Sequence, residues 1–532
     1  MTARAAALTL ALTLAVALTP LAAGAAGGEI FRIAEPGTYI DSIDAALGDA
    51  AADGPLYSLV CASLTRLSDS PLPGGYRIVP ELATSLPKAS AGGTTYAFTI
   101  RKGLRFNTGA PVTAADVAFT IDRLLQLKSP SSGIFSGIVG AQAVVDGKAK
   151  HATGVVASGG KLTIRLLRPD GGFLQDVAAS LCVVPEGLPF QPGGVTPPVP
   201  TAAPYYISEY VPGQQIVLSR NPYYGGSRPH RVDGFVFDLT VDENQALDEA
   251  LDGKADYAWV PNPYYAARAP EFVRRFGVNG TRFFVQPSPF LRMFVFNTSR
   301  PLFKDNAPLR QAINYALDRA ALIALNGSLG GTPVDDYEPP IFPDAPRTPI
   351  YPLVKPDLAK ARSLARGHTR GGKLVLYVRN RASEPAIGQL VKQELAKIGL
   401  DVEIHVSPPA IHFQEIADPK TPFDMASIGW LNTPPDPSLF LNGLFDGGQI
   451  GTPGNEDYSY FNSPSWNAKL EAAARLTGEA RYRAYAKLDV ELARSEAPAA
   501  AYSVDNALTL VSARVGCVVA NPYLDLADVC LK

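Results

Sequence analysis

The chain has 532 residues, of which 46% are hydrophobic and 18% charged, which is enough for more than one globular domain. Its formal net charge is only −2, and no basic block runs anywhere along it. That balance excludes nucleic acid and an anionic membrane surface as expected partners.

The first 26 residues hold one early Arg, an apolar run, Pro20, and Ala23 and Ala25 in a small-x-small pattern. This predicts a secretory signal peptide over 1–26, the rival being an uncleaved anchor. No Cys stands near residue 25, so a lipid anchor is not expected. No later apolar run is long enough to span a bilayer, so a soluble, periplasmic or extracellular protein is expected.

Beyond the leader, "GEIFRIAEPG" reads as a strand and turn, and "PLYSLVCASLTRL" as an apolar helix. Tyr96, Phe98 and Ile100 alternate as in a half-buried strand. Thr113 and Asp116 make a capping box that opens a helix with Val117, Ile121, Leu124 and Leu125 on one face. "GKLTIRLLRP" is another strand. Its Gly160-Lys161 is a near miss to a phosphate loop, but Val155 stands where the first glycine belongs. Segment 190–204 is the most linker-like, being rich in Pro and Gly.

"VDGFVFDLTV", a helix capped by Asp242 and stopped by Gly253, and "ADYAWVP" form one parallel β-α-β unit. "KLVLYV", a helix from Ser383 to Ile398 and "LDVEIHV" form a second. Two such units some 140 residues apart predict two separate α/β sheets. A long helix is expected from Pro308 to about Leu325. In "SPFLRMFVFN", Leu291, Met293 and Val295 face one side of a strand, and Arg292, Phe294 and Phe296 the other.

Four cysteines occur: Cys61, Cys182, Cys517 and Cys530. Export permits disulfides, and Cys517 with Cys530 brackets a short C-terminal loop, so that pair is expected to bond. Cys61 and Cys182 lie in apolar segments, where a buried thiol and a bond are equally open. No nucleophile elbow, no His-Glu-x-x-His and no Cys-x-x-Cys is present. The five His show no ligand spacing, and the carboxylates single out no acid–base pair. No catalytic residue, metal site or cofactor is expected.

Four stretches in order carry a family likeness: "LRFNTGAPVTAADVAFTIDRLL", "APYYISEYVPGQQIVLSRNPYY", "FNTSRPLFKDNAPLRQAINYALDRAALI" and "IGWLNTPPDPSLFLNGLF". Together they resemble the solute-binding family 5 of peptide-type ABC transporters. The resemblance implies an α/β, periplasmic-binding-protein-like fold of two hinged lobes with an extra inserted domain. Mapped onto this chain, lobe I is 27–58, 205–283 and 499–532, the insert 59–204, and lobe II 284–498. It also implies a monomer that binds a peptide or small-molecule ligand and delivers it to membrane permease subunits. A receptor of the same fold for an opine, glycoside or metal chelate is the alternative. An exported hydrolase is the alternative of another class, and a sensor subunit or chaperone a third.

In relatives that bind free peptides, an Asp three residues past the Trp of the late loop pairs with the terminal ammonium. Here that position is Thr433, preceded by Asn432, and the next acid is Asp436. A hydroxyl cannot neutralise an ammonium, so the ligand either lacks that amine or meets another acid. Trp430 is the first cleft candidate, the other reading being a wedge between loop and sheet. Asn432 and Thr433 follow it. Arg292 is a candidate for a ligand carboxylate or phosphate, or else a salt bridge at the lobe edge. Phe294 shares its face. Tyr205 is placed by the expected hinge, where it either stacks on ligand or packs.

Overall fold

A computed structural model describes residues 28–532 apart from 49–53, 73, 192, 328, 346–347, 432–435, 452–455 and 523. The expected signal peptide lies outside the described residues. Two five-stranded sheets and a smaller three-stranded sheet organise the chain. In the first sheet Ile30–Ala34 runs parallel to both Gly234–Asp238 and Tyr257–Ala258, and sits between them. The helix Glu243–Asp252 crosses between those outer two, capped by Asp242 and ended by Gly253 at φ 76°. The β-α-β unit is therefore present with the N-terminal strand filling its middle. Gln215–Arg220 and Tyr205–Val211 extend the sheet antiparallel.

The second sheet pairs Lys373–Arg379 parallel with Asp401–Ser407 on one side and Met425–Trp430 on the other. Phe283–Phe296 and Ala499–Leu510 complete it antiparallel. The alternation read in 288–297 holds: Leu291, Met293 and Val295 join one core, Phe294 and Phe296 the other. Both faces are apolar because helices cover both.

The insert packs Thr95–Thr99, Lys161–Arg165 and Val155–Ser158 against the helix Ala114–Gln126. Thr113 opens that helix through a full capping box: its hydroxyl accepts from the Asp116 N–H, while the Asp116 carboxylate accepts from the Thr113 N–H at 2.7 Å. Gly160 sits in the tight turn before Lys161, as a hairpin requires.

Three local expectations are corrected. The helix read in 55–67 ends at Val60, and Thr65–Leu67 is a strand paired with Ile78–Pro80. The helix expected from Pro308 to Leu325 is two, Ala307–Ala316 and Arg319–Ala324. It breaks because Leu317 turns to ψ 129° and Asp318 caps the second piece through the Ala321 N–H. The end of the linker-like segment is packed: Thr201, Ala202 and Ala203 are buried, and the Thr201 hydroxyl donates to the Val60 carbonyl.

Both cysteine pairs are bonded, Cys517 to Cys530 within the C-terminal loop and Cys61 to Cys182 across 121 residues. Among the described residues no helix is long and apolar enough to cross a membrane.

Candidate functional site

Among the described residues, two long strands run between the two sheets' cores, Phe283–Phe296 and Ala499–Leu510. Phe283 and Leu508–Leu510 belong to the first lobe's core, whereas Leu291–Phe296 and Ala499–Val504 belong to the second lobe's. Their ladder is interrupted between Pro287 and Leu291, opposite Asn506 and Val504. Pro287 and Pro289 lack the N–H a ladder needs, so the pairing is weakest where the strands pass from lobe to lobe.

A cavity of about 600 Å³ opens beside this crossing. Phe290, Arg292, Asp505 and Asn506 line it from the crossing strands, and Ala266 and Ala267 from the first lobe's helix Asn262–Phe276. Arg379, Arg381, Ser383 and Glu384 line it from the second lobe. Arg379 ends the parallel strand Lys373–Arg379 and the other three follow it, at the carboxyl end where open α/β sheets place their ligand crevices.

Its charges are unevenly matched. Arg292 grips Asp505 through two hydrogen bonds, one of 2.7 Å from Nη2 to Oδ2. Burial works against the Arg292 charge, but the hydrogen-bonded Asp505 outweighs it and holds the guanidinium above its ordinary range. Arg379 is buried and paired with Glu384, its Nε donating at 2.9 Å. Arg381 is exposed on the wall and has no ion-pair partner among the described residues. Three arginines against two carboxylates leave one positive charge, and it belongs to Arg381. The arrangement can take an anionic group of a ligand, most directly a carboxylate, in bidentate fashion.

The sequence candidates are not gathered here. Arg292 lines the cavity, yet its fork is already filled by Asp505. Phe294 is fully buried with its ring stacked on Tyr502 at 5.2 Å, so it is a core residue. Tyr205 is also fully buried, its hydroxyl donating to the Val232 carbonyl at 2.8 Å. It lies on the edge strand of the first sheet farthest from the crossing strands, so the placement by the hinge is corrected. Trp430 is 6% exposed and belongs to the second lobe's core. Its Nε1–H donates to the Leu439 carbonyl at 3.1 Å, which wedges the loop onto the helix Pro437–Phe445. Asn432 and Thr433 lie outside the described residues.

Asp436 is not an alternative acid for an amine. It caps the helix Pro437–Phe445 and is held by Arg481 at 3.0 and 2.6 Å, fully enclosed. Arg381, Arg379, Glu384 and Asp505 were missed. Position supplied a signal for the first three, because "RNRASE" directly follows a parallel strand. Asp505 gave none, since its partner is 213 residues away.

A family model for bacterial extracellular solute-binding proteins, family 5 Middle, matches residues 77–452. The chain belongs to this family. Family 5 proteins bind solutes and are not enzymes. Heme-binding protein A of Haemophilus influenzae is 24% identical over 80% of this chain and 78% of its own. Probable di/tripeptide-binding protein 5 of Pseudomonas aeruginosa is 26% identical over 69% of this chain and 71% of its own. The unliganded open form of the periplasmic murein tripeptide binding protein MppA superposes with a TM-score of 0.80. That match is 20% identical and covers 95% of this chain and 99% of that one. The α/β two-lobe fold with its insert is thus the family 5 fold.

Proposed function

We propose that the protein is the exported substrate-binding component of a peptide-type ABC transporter. It takes a peptide or peptide-sized organic solute between its lobes and hands it, as a monomer, to membrane permease subunits. The lobes divide within the two crossing strands, near 287–291 and 504–506 and not at the expected 283/284 and 498/499, and the insert spans 59–204. Residues 1–26 direct export and are removed, which leaves the protein periplasmic or extracellular. Ligand binding biases an opening and closing equilibrium about the interrupted ladder at Pro287–Leu291.

The observation that carries this reading is the cavity of about 600 Å³ between the lobes, with the unpaired Arg381 on its wall. Its size suits a ligand of a few residues. Arg381 favours one that ends in a carboxylate. Thr433 and Asp436 bear on the other end of the ligand. The loop has a hydroxyl where relatives that bind free peptides have a carboxylate, and its remaining acid is held by Arg481. A blocked peptide, or an opine-like acid without a free terminal ammonium, fits this pattern better than a plain dipeptide.

The test is mass spectrometry of whatever co-purifies, followed by calorimetric titration of that compound. Arg381→Ala is expected to weaken its binding roughly 10- to 100-fold, as the loss of a charged hydrogen-bonded contact does. Undiminished affinity would remove Arg381 from the site, and tight binding of plain dipeptides would overturn the inference from Thr433.

A further inference from the structure

The insert is fastened to the first lobe. Cys61 and Cys182, both in the insert, are bonded to each other beside its junction with the first lobe. The buried Arg123 of the insert donates to Asp44 at 2.9 Å. Arg228 of the first lobe donates to the Cys61 carbonyl at 3.0 Å and faces Glu81 of the insert at 3.6 Å.

The same insert also grips the second lobe. The Gly171 N–H donates to the Ala474 carbonyl at 2.9 Å. A Cβ at Gly171 would lie 1.9 Å from the Leu476 carbonyl oxygen and 2.6 Å from that of Ala474. No positive φ demands a glycine there, so the close approach does. Gln175 reaches the Tyr482 hydroxyl at 3.4 Å, Tyr76 sets its ring edge-on to Phe342, and Arg77 pairs with Glu479. Arg481, which holds Asp436, also donates to the Ala474 carbonyl at 2.9 Å. The grip therefore reaches the base of the helix that follows the Trp430 loop.

A body fixed to one lobe cannot stay packed on the other while the two rotate. We propose that the insert is a latch across the cleft: its Gly171–Gly172 turn and Tyr76–Arg77 hairpin clasp the second lobe, and the lobes rotate only when this contact parts. The proposal rests on the hinged reading above. A latch of this kind adds its own free energy to one arrangement of the lobes, and so sets how populated that arrangement is before any ligand arrives.

The experiment needs no ligand. All four cysteines are in disulfides, so spin labels can be placed at Lys88→Cys in the insert, Lys254→Cys in the first lobe and Lys420→Cys in the second, all exposed. Distances for the pairs 88–420 and 254–420 are measured by pulsed electron spin resonance in the full chain. Gly171→Leu is expected to add a population at longer separation in both pairs, and the double variant Tyr76→Ala with Arg77→Ala to do the same by a separate route. Circular dichroism checks that each variant is folded, and the double variant carries the test if Gly171→Leu is not. If the unaltered protein samples several separations and the variants leave their proportions unchanged, the latch is wrong and the hinge stands. If every protein gives one narrow, identical distance, the hinge itself is wrong and the latch falls with it.

Discussion

Asp436 holds two structures together at once, capping the helix Pro437–Phe445 and locking Arg481. Burial pushes its carboxyl up, but Arg481 and Ser438 more than offset that and keep it below the usual carboxylate range. Trp430 works the same surface from the apolar side. Removing its ring leaves a void in the core, so Trp430→Ala is expected to cost about 3–5 kcal/mol. Chemical denaturation would measure this, and an unchanged midpoint would return the ring to the ligand's side. From the sequence, a Trp before three prolines is equally a wedge or a platform, because both need a stiff loop. Arg292 was ambiguous for a different reason: its partner Asp505 is brought near only by the pairing of two distant strands.

At the level of elements, the two disulfides close loops of very different length, 121 and 13 residues. Chain entropy then predicts that replacing Cys61 and Cys182 by Ser costs about 5 kcal/mol, and replacing Cys517 and Cys530 about 3 kcal/mol. Calorimetric melting should rank the two double variants in that order. The reverse order would mean that native packing, not loop closure, dominates. Local signals were legible where they were self-contained. The Thr113 box, the Gly253 stop and the alternation in 288–297 are all settled within a few residues. What failed was continuity. The apolar pattern runs on through 308–325, but Asp318 prefers to cap, and its hydrogen bond to the Ala321 N–H ends one helix and begins another. The Cys61–Cys182 bond is open in the sequence for a related reason, since it depends on how segments 121 residues apart in the insert fold together.

For the molecule as a whole, buried carboxyls set the response to pH. Burial is the first cause that pushes Glu394, Asp489 and Asp525 up to about 7, and Asp457 to about 8. In the unfolded chain such groups ionise near 4. Between about 4 and 8 the folded state therefore holds more protons, and stability falls as pH rises through that window, then levels off. His412, whose pKa burial lowers, acts in the opposite sense but is a single group. Melting temperature is expected to be higher near pH 5 than near pH 8. A rise over the same interval would mean that these carboxyls are ionised and partnered in the fold. The crossing strands have a bearing on how the protein is handled. The first lobe takes part of its core from chain beyond the second crossing, Leu508 and Leu510, while Ala499 to Val504 just before that crossing complete the second lobe's sheet. The first lobe is therefore not a contiguous stretch of gene, whereas the second runs unbroken from about 291 to 504. A fragment cut at 283/284 and stopped at 498 would present an unpaired strand edge where Ala499–Val504 belongs, so binding work on this receptor calls for the intact polypeptide.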